Sequence, residues 1–438
     1  MTSPFLNLFP GLSEEKAIEL LETPVEQLKE KYHRYLAAAH LVNFPTERSI
    51  KALINVLQDP NPARENRQAQ RKAIESLGRL KVNHAIEVMA PFLADNDRYM
   101  VENTVWAIGE IGTSNQDILE EIAQLLEKEG QIYRVIIQTL TKLNYKPALA
   151  RIARFTESED SAIACAAIAA TCKLSGDDNQ VYRIIKFLND KNIHARRGAI
   201  QDLMDLEYDL AIPDIAAAPV SQSLRLRGMR FLADQAQEKG TIDYSVMESS
   251  FDLAIWDHPQ DLKMAYEYPQ KPSLERVIQD LYNTDFAYCY LASKAMLDFY
   301  PNAGEILKKS FDENAQEDYG AHYHIIKLFG WLKYEPAYDL FVDTLLNLGD
   351  KFVKSRIAAA ISLGNLGNKQ AIPHLKAGLE SKVWKLKYAC LLALDYLGDS
   401  SGRALCANDS DWLIQLKGKS YPPQGKRGRE VERGDSGT

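Results

Sequence analysis

The sequence predicts an all-α fold, a curved α-solenoid of stacked helical hairpins, on three observations. A phrase of the form A-x-x-x-L-G-x-L recurs, as KAIESLGRL ending at Leu80, NTVWAIGEI ending at Ile111 and RIAAAISLGNL ending at Leu366. It returns on a fixed step. Its last hydrophobic falls at Leu80, Ile111, Leu143, Leu174, Leu206, Tyr300, Leu332, Leu366 and Leu397, a period of 31–32 residues with one step of 34 and one of 94. Alternation of period two bounded by turn residues recurs nowhere, so strands have no support.

Each period holds two apolar stretches of helical spacing. HAIEVMAPFL (His84 to Leu93) and YMVENTVWAIGEI (Tyr99 to Ile111) are an example, separated by the polar turn ADNDR. Alanine at the inner positions lets helices approach, and Leu and Ile fill the seam with the next hairpin. The step of 94 is close to three periods, so Leu206 to Tyr300 has room for two diverged copies, the first around Leu232 in RLRGMRFLAD. An earlier copy ends near Phe44, and the polar insertion Asp59 to Gln70 lengthens the following turn. The expected organisation is one solenoid over residues 1–415, irregular over 237–285, followed by a disordered basic tail over 416–438 made of Gly, Pro and charge.

Composition bounds the function. The 438 residues carry 52 Lys+Arg against 60 Asp+Glu, a net charge of -8, which gives no overall attraction to nucleic acid. No apolar run approaches the roughly 20 residues of a membrane span, and Met1 to Pro10 lacks a basic leader, so a cytoplasmic chain is expected. Five cysteines without a C-x-x-C argue for reduced thiols rather than a disulfide framework or a zinc site. Nucleotide-binding, zinc-protease and nucleophile-elbow signatures are absent.

Polar residues concentrate in one copy, EDYGAHYHIIKLFGW, where Asp318, Tyr319, His322, Tyr323 and His324 open a helix. Asp318 and His322 share one face at i,i+4, and Tyr319 and Tyr323 share the adjacent one. A carboxylate, a phenol and an imidazole on one groove form a proton-transfer set; the competing reading is a helix cap with side chains satisfied at repeat seams. A second cluster, Trp256, Asp257, His258, Tyr266 and Tyr268, suits a flat-sided slot for a conjugated ligand or a patched seam. Arg196, Arg197, Arg225, Arg227 and Arg230 on inner helices suit carboxylates or structural ion pairs. Trp106 with Glu102 at i,i+4 is a weaker third pair, and Cys165, Cys172 and Cys390 read as packing residues.

These repeats, with RKAIESLGRLKVNHAIEVMAPFLADND and SRIAAAISLGNLGNKQAIPHLKAGL, resemble the HEAT-like arrays of the E/F-type phycobilin lyases of cyanobacteria. The phrase LSEEKAIELLETPVEQLKEKYHRYLAAAHLVNFPTERSIKALI (Leu12 to Ile54) is similar to the start of the single-chain members serving phycoerythrin α subunits. The resemblance implies a linear tetrapyrrole, phycoerythrobilin, as substrate with no separate cofactor, joined through a thioether to a cysteine of a phycoerythrin α subunit, with isomerisation to phycourobilin in some members. It implies Asp318 facing the pyrrole N–H groups and Tyr319 as proton donor, with His322 in reserve. Arg196, Arg197 and Arg227 would meet the propionates, and Trp256, Asp257 and Tyr323 would line the pigment. A non-catalytic scaffold or chaperone for phycobiliprotein subunits is the alternative.

Overall fold

The computed structural model describes residues 11–420 apart from 29, 31, 32, 348, 350 and 351. The leader position Met1–Pro10 and residues 421–438 of the expected tail lie outside the described residues. Every regular element among the described residues is helical. The chain divides into two compact units, Met1–Ile184 and Ile185–Thr438.

In the first unit the second helices of four successive hairpins are α1 (Arg64–Leu80), α2 (Arg98–Ile111), α3 (Tyr133–Lys142) and α4 (Ser161–Ser175). They stack side by side, α1 on α2, α2 on α3 and α3 on α4. Of their hairpin partners, Glu47–Gln58 is a continuous helix and Gln116–Gln124 runs on into a 3₁₀ turn, whereas others are broken. In the copy His84 to Leu93 a 3₁₀ turn, one turn of α-helix and a second 3₁₀ stretch replace the continuous helix expected, because Pro91 near the start of Ala90–Ala94 has no N–H to donate. The repeated L-G glycine sets the close approach. A Cβ on Gly78 would lie 2.8 Å from the Ala107 Cβ and 3.2 Å from the Trp106 ring, so α1 and α2 touch nearly backbone to backbone.

The second unit continues with α5 (Ile193–Asp205), α6 (Gln222–Lys239), α7 (Tyr244–Trp256), α8 (Phe286–Phe299), α9 (Tyr319–Trp331), α10 (Val353–Leu366), α11 (Trp384–Tyr396) and α12 (Trp412–Lys419). Between α7 and α8 the irregular stretch holds only a 3₁₀ turn, Pro259–Asp261, and a short helix, Leu274–Asp280. A linear solenoid brings each repeat against its neighbours alone. Here the last two hairpins also return to α6 and α7. Lys417 of α12, 1% exposed, donates to Asp252 at 2.7 Å and Glu248 at 2.8 Å on α7. Arg230 of α6 donates to the Asp411 carboxylate at 2.9 Å, sandwiched between the Trp384 and Trp412 rings at 5.3 and 5.1 Å. The Tyr388 hydroxyl reaches Asp252 at 2.7 Å. This unit therefore closes on itself, and the first four residues assigned to the tail, 416–419, are part of a buried helix.

Candidate functional site

In the second unit a buried polar cluster is centred on Asp257. The residue caps α7 in the left-handed conformation, φ 55°, which turns its side chain inward, fully buried. Arg225 donates to Oδ1 and Tyr323 to Oδ2; the Tyr290 hydroxyl donates to Oδ2 at 3.1 Å, and the Lys327 ammonium donates to Oδ2 at 2.6 Å and to the Asp257 carbonyl at 2.7 Å. Burial alone would raise the Asp257 carboxyl, but Arg225 and Lys327 outweigh it and hold it at about 2. Burial and the adjacent carboxylate push the Tyr290 and Tyr323 phenols up. Burial lowers His324, whose ring packs against both phenols, to about 3. Saturated with donors and shut off from solvent, Asp257 and Tyr323 are a structural hub. That corrects the expectation that they line a pigment site.

Other expected residues are also tied down. Arg196 is fully buried, with one guanidinium nitrogen on Asp285 and the other on the Asp190 and Lys191 carbonyls at 2.5 and 3.2 Å, so it has no free fork for a propionate. His322 bonds Ser355 at 2.8 Å, and burial lowers it to about 4, so it stays neutral at physiological pH and is no proton donor. Tyr266 and Tyr268 spend their hydroxyls on the Lys191 carbonyl at 2.6 Å and on Asp280 at 2.8 Å, while Trp256 packs on Tyr396. Their stretch is a patched seam rather than an open slot. Asp318 is the cap of α9, its Oδ1 accepting from the Gly320 and Ala321 amides at 2.9 and 2.7 Å. The same cap is made by Asp97, Asp160, Asn192 and Asp285 at the starts of α2, α4, α5 and α8, so its place follows from the repeat alone. Arg197 and Arg227 remain exposed; Arg227 reaches Gln201, one turn beyond Arg197 on α5, at 3.2 Å.

One residue was missed. Lys354, in the first turn of α10, is 3% exposed, and its ammonium lies 3.9 Å from the Tyr319 ring, 4.5 Å from Phe286 and 5.4 Å from Tyr323. It makes no hydrogen bond or ion pair among the described residues. Burial lowers it to about 8, against the pull of Cys289, Asp257 and Asp318. A buried cation at the positive end of a helix dipole, held by π faces alone, is poised to give up its proton near neutral pH. Tyr319 covers it and is 43% exposed. Asp318, Tyr319 and Lys354 thus form one corner; nothing in the local sequence VKSRIAAA announces the lysine, because its partners come from α8 and α9.

The first unit carries an open groove lined by Glu75 and Arg79 of α1, Glu102, Asn103 and Trp106 of α2, and Val135 of α3. The Arg79 guanidinium lies over the Trp106 ring at 5.5 Å and bonds Glu75 at 2.9 and 3.0 Å. Glu102, half-buried, makes no hydrogen bond or ion pair among the described residues. Burial raises its carboxyl, with Arg98 and Arg71 pulling back.

Comparison with known proteins places this architecture. "Uncharacterized phycocyanin operon protein Y" of Pseudanabaena tenuis (strain PCC 7409) is 47% identical over 421 residues, 96% of this chain and 100% of that protein. "Bilin biosynthesis protein CpeY" of Synechococcus sp. (strain WH8020) is 32% identical over 405 residues, 88% of this chain and 96% of that one. The chain belongs to the E/F-type phycobilin lyase family. Residues 355–381 match the PBS lyase HEAT-like repeat. "Phycocyanobilin lyase subunit alpha" of Picosynechococcus sp. (strain ATCC 27264 / PCC 7002 / PR-6) is 25% identical over 234 residues, 50% of this chain and 87% of that one. In this phycobilin lyase family member all five cysteines are buried and outside any disulfide, and burial raises the Cys172, Cys289, Cys390 and Cys406 thiols. Burial of this kind disfavours the thiolate.

Proposed function

We propose that the chain is a bilin lyase that joins phycoerythrobilin through a thioether to a cysteine of a phycoerythrin α subunit. The observation that carries the reading is its end-to-end likeness to the bilin biosynthesis protein CpeY, at 32% identity across 88% of the chain. In the reaction the acceptor thiol adds to the C3 side chain of ring A: the C–S bond forms, the S–H bond breaks, and a proton is delivered to the pigment. The enzyme's part is to hold the pigment in one conformation and to supply that proton. The buried thiols of the chain fit a reaction whose sulfur comes from the acceptor. Coexpression with the acceptor subunit and phycoerythrobilin tests the reading. Covalent colour on a denaturing gel, dependent on the chain, is expected, and a shift to the shorter wavelengths of phycourobilin would add isomerisation. Attachment no faster than without the chain, with subunit binding kept, would leave a scaffold.

The proton donor in this reading is the corner of Tyr319 and Lys354, with Asp318 beside it. An acid near pKa 8 is protonated at neutral pH and loses its proton above it, so attachment at saturating pigment is expected to fall as pH rises through about 8. Lys354→Met should remove that alkaline limb and slow attachment by about 100-fold, the range for losing a general acid. Asp318→Asn keeps the cap but removes a negative charge that favours the ammonium. The limb should then move to lower pH rather than vanish. A pH profile flat between 7 and about 9 in the wild type would end the assignment of Lys354.

A further inference from the structure

The role expected of Asp318, a carboxylate facing pyrrole nitrogens, is left without an occupant in the second unit, where that side chain is an ordinary cap. The first unit holds a carboxyl of the required kind. Two stripes at i,i+4 spacing run side by side, Arg71, Glu75 and Arg79 on α1 and Arg98, Glu102 and Trp106 on α2. Gly78 lets them meet, because a side chain there would strike Ala107 at 2.8 Å and crowd the Trp106 ring. Glu75 is occupied by Arg79 and Lys72. Glu102 has no such partner, and the Trp106 ring beside it is only partly buried. One turn away, Arg98 and Arg71 flank the Tyr99 ring at 5.0 and 5.9 Å; Arg98 reaches the Tyr99 hydroxyl at 3.2 Å, and Arg71 pairs with Asp97 at 4.0 Å.

We propose that this groove is the seat of the free linear tetrapyrrole before attachment, with Trp106 against a pyrrole ring, Glu102 accepting from pyrrole N–H groups, and Arg71 and Arg98 taking propionate carboxylates. The identity of the ligand rests on the bilin lyase reading. A flat conjugated body with inward N–H donors and carboxylate arms matches an aromatic face, an unclaimed carboxyl and two guanidinium forks within two helical turns. The cavity, about 240 Å³, takes part of the pigment and leaves the rest outside the groove.

The test is equilibrium titration of the full-length protein with biliverdin, followed by pigment absorbance and tryptophan fluorescence. Glu102→Gln, Trp106→Leu and Arg98→Gln should each weaken binding by about tenfold, the loss of one good contact. Tyr244→Phe, on an exposed side chain outside the groove, should bind as the wild type does. Far-UV circular dichroism confirms the fold of each variant, and Arg98→Gln, on an exposed side chain, keeps the test open should Trp106→Leu fail to fold. In the attachment assay the groove variants should be rescued by excess pigment, a KM effect, whereas Lys354→Met should not. Wild-type affinity in Glu102→Gln and Arg98→Gln would overturn the groove while leaving the lyase reading intact. Pigment binding that depends on the groove, without any attachment, would overturn the lyase reading instead.

Discussion

Asp257→Asn is expected to destabilise the second unit by about 3–5 kcal/mol, the cost of stranding buried charge by removing its partner. Asparagine tolerates the left-handed conformation and has nearly the same shape, so the substitution isolates the charge. Two cations, Arg225 and Lys327, would remain buried at 0% and 1% exposure with no carboxylate between them. The Tyr290 and Tyr323 hydroxyls would lose an anionic acceptor as well. Urea unfolding followed by circular dichroism at pH 7 measures the loss, and a change below about 1 kcal/mol would show that the hub does not hold the unit. The wild type has a matching acid signature. Asp257 has its folded pKa depressed to about 2 from an ordinary 3.8, so its stabilisation is complete above the unfolded value and disappears as pH falls through about 2.

Gly330→Val is the second large effect, with an expected cost of about 3 kcal/mol, the upper end for overpacking. A Cβ at Gly330 would stand 2.5 Å from the Ser362 Cβ and 2.7 Å from its Cα, so the conflict is with the backbone of α10 and cannot be relieved by a rotamer. The Ser362 hydroxyl, which donates to the Ile326 carbonyl at 3.0 Å, would be displaced too. The double variant with Ser362→Ala should recover little, because the clash with the main chain of α10 persists. Full recovery would mean that the side chain alone sets the spacing of α9 and α10.

The solenoid was legible in the sequence because the repeats share local rules: a period of 31–32 residues, with a capping Asp or Asn before the second helix in several copies and a glycine in the L-G phrase of several. The capping role of Asp318 was also readable, since Asp97 and Asp160 stand in the same place in earlier repeats. The hub was not. Asp257 and Lys327 are 70 residues apart, and Arg225 and Tyr290 are 65 apart, so no window of sequence contains the reason that they are buried. Residue type then misled: His322, Tyr323 and Arg196 look like reactive groups until their partners are known. Glu102 and Trp106 were visible only as an i,i+4 pair, because what sets them apart, an unclaimed carboxyl in an open groove, is a property of three helices together.

The return of α12 onto α7 has a bearing on biosynthesis. Bonds such as Lys417 to Asp252 and Trp412 to Asp234 join the last described helix to segments made some 165–180 residues earlier. At about 5–20 residues per second, those earlier helices wait many seconds on the ribosome without their closing partner. The second unit becomes complete only once α12 has been made and has paired with α7.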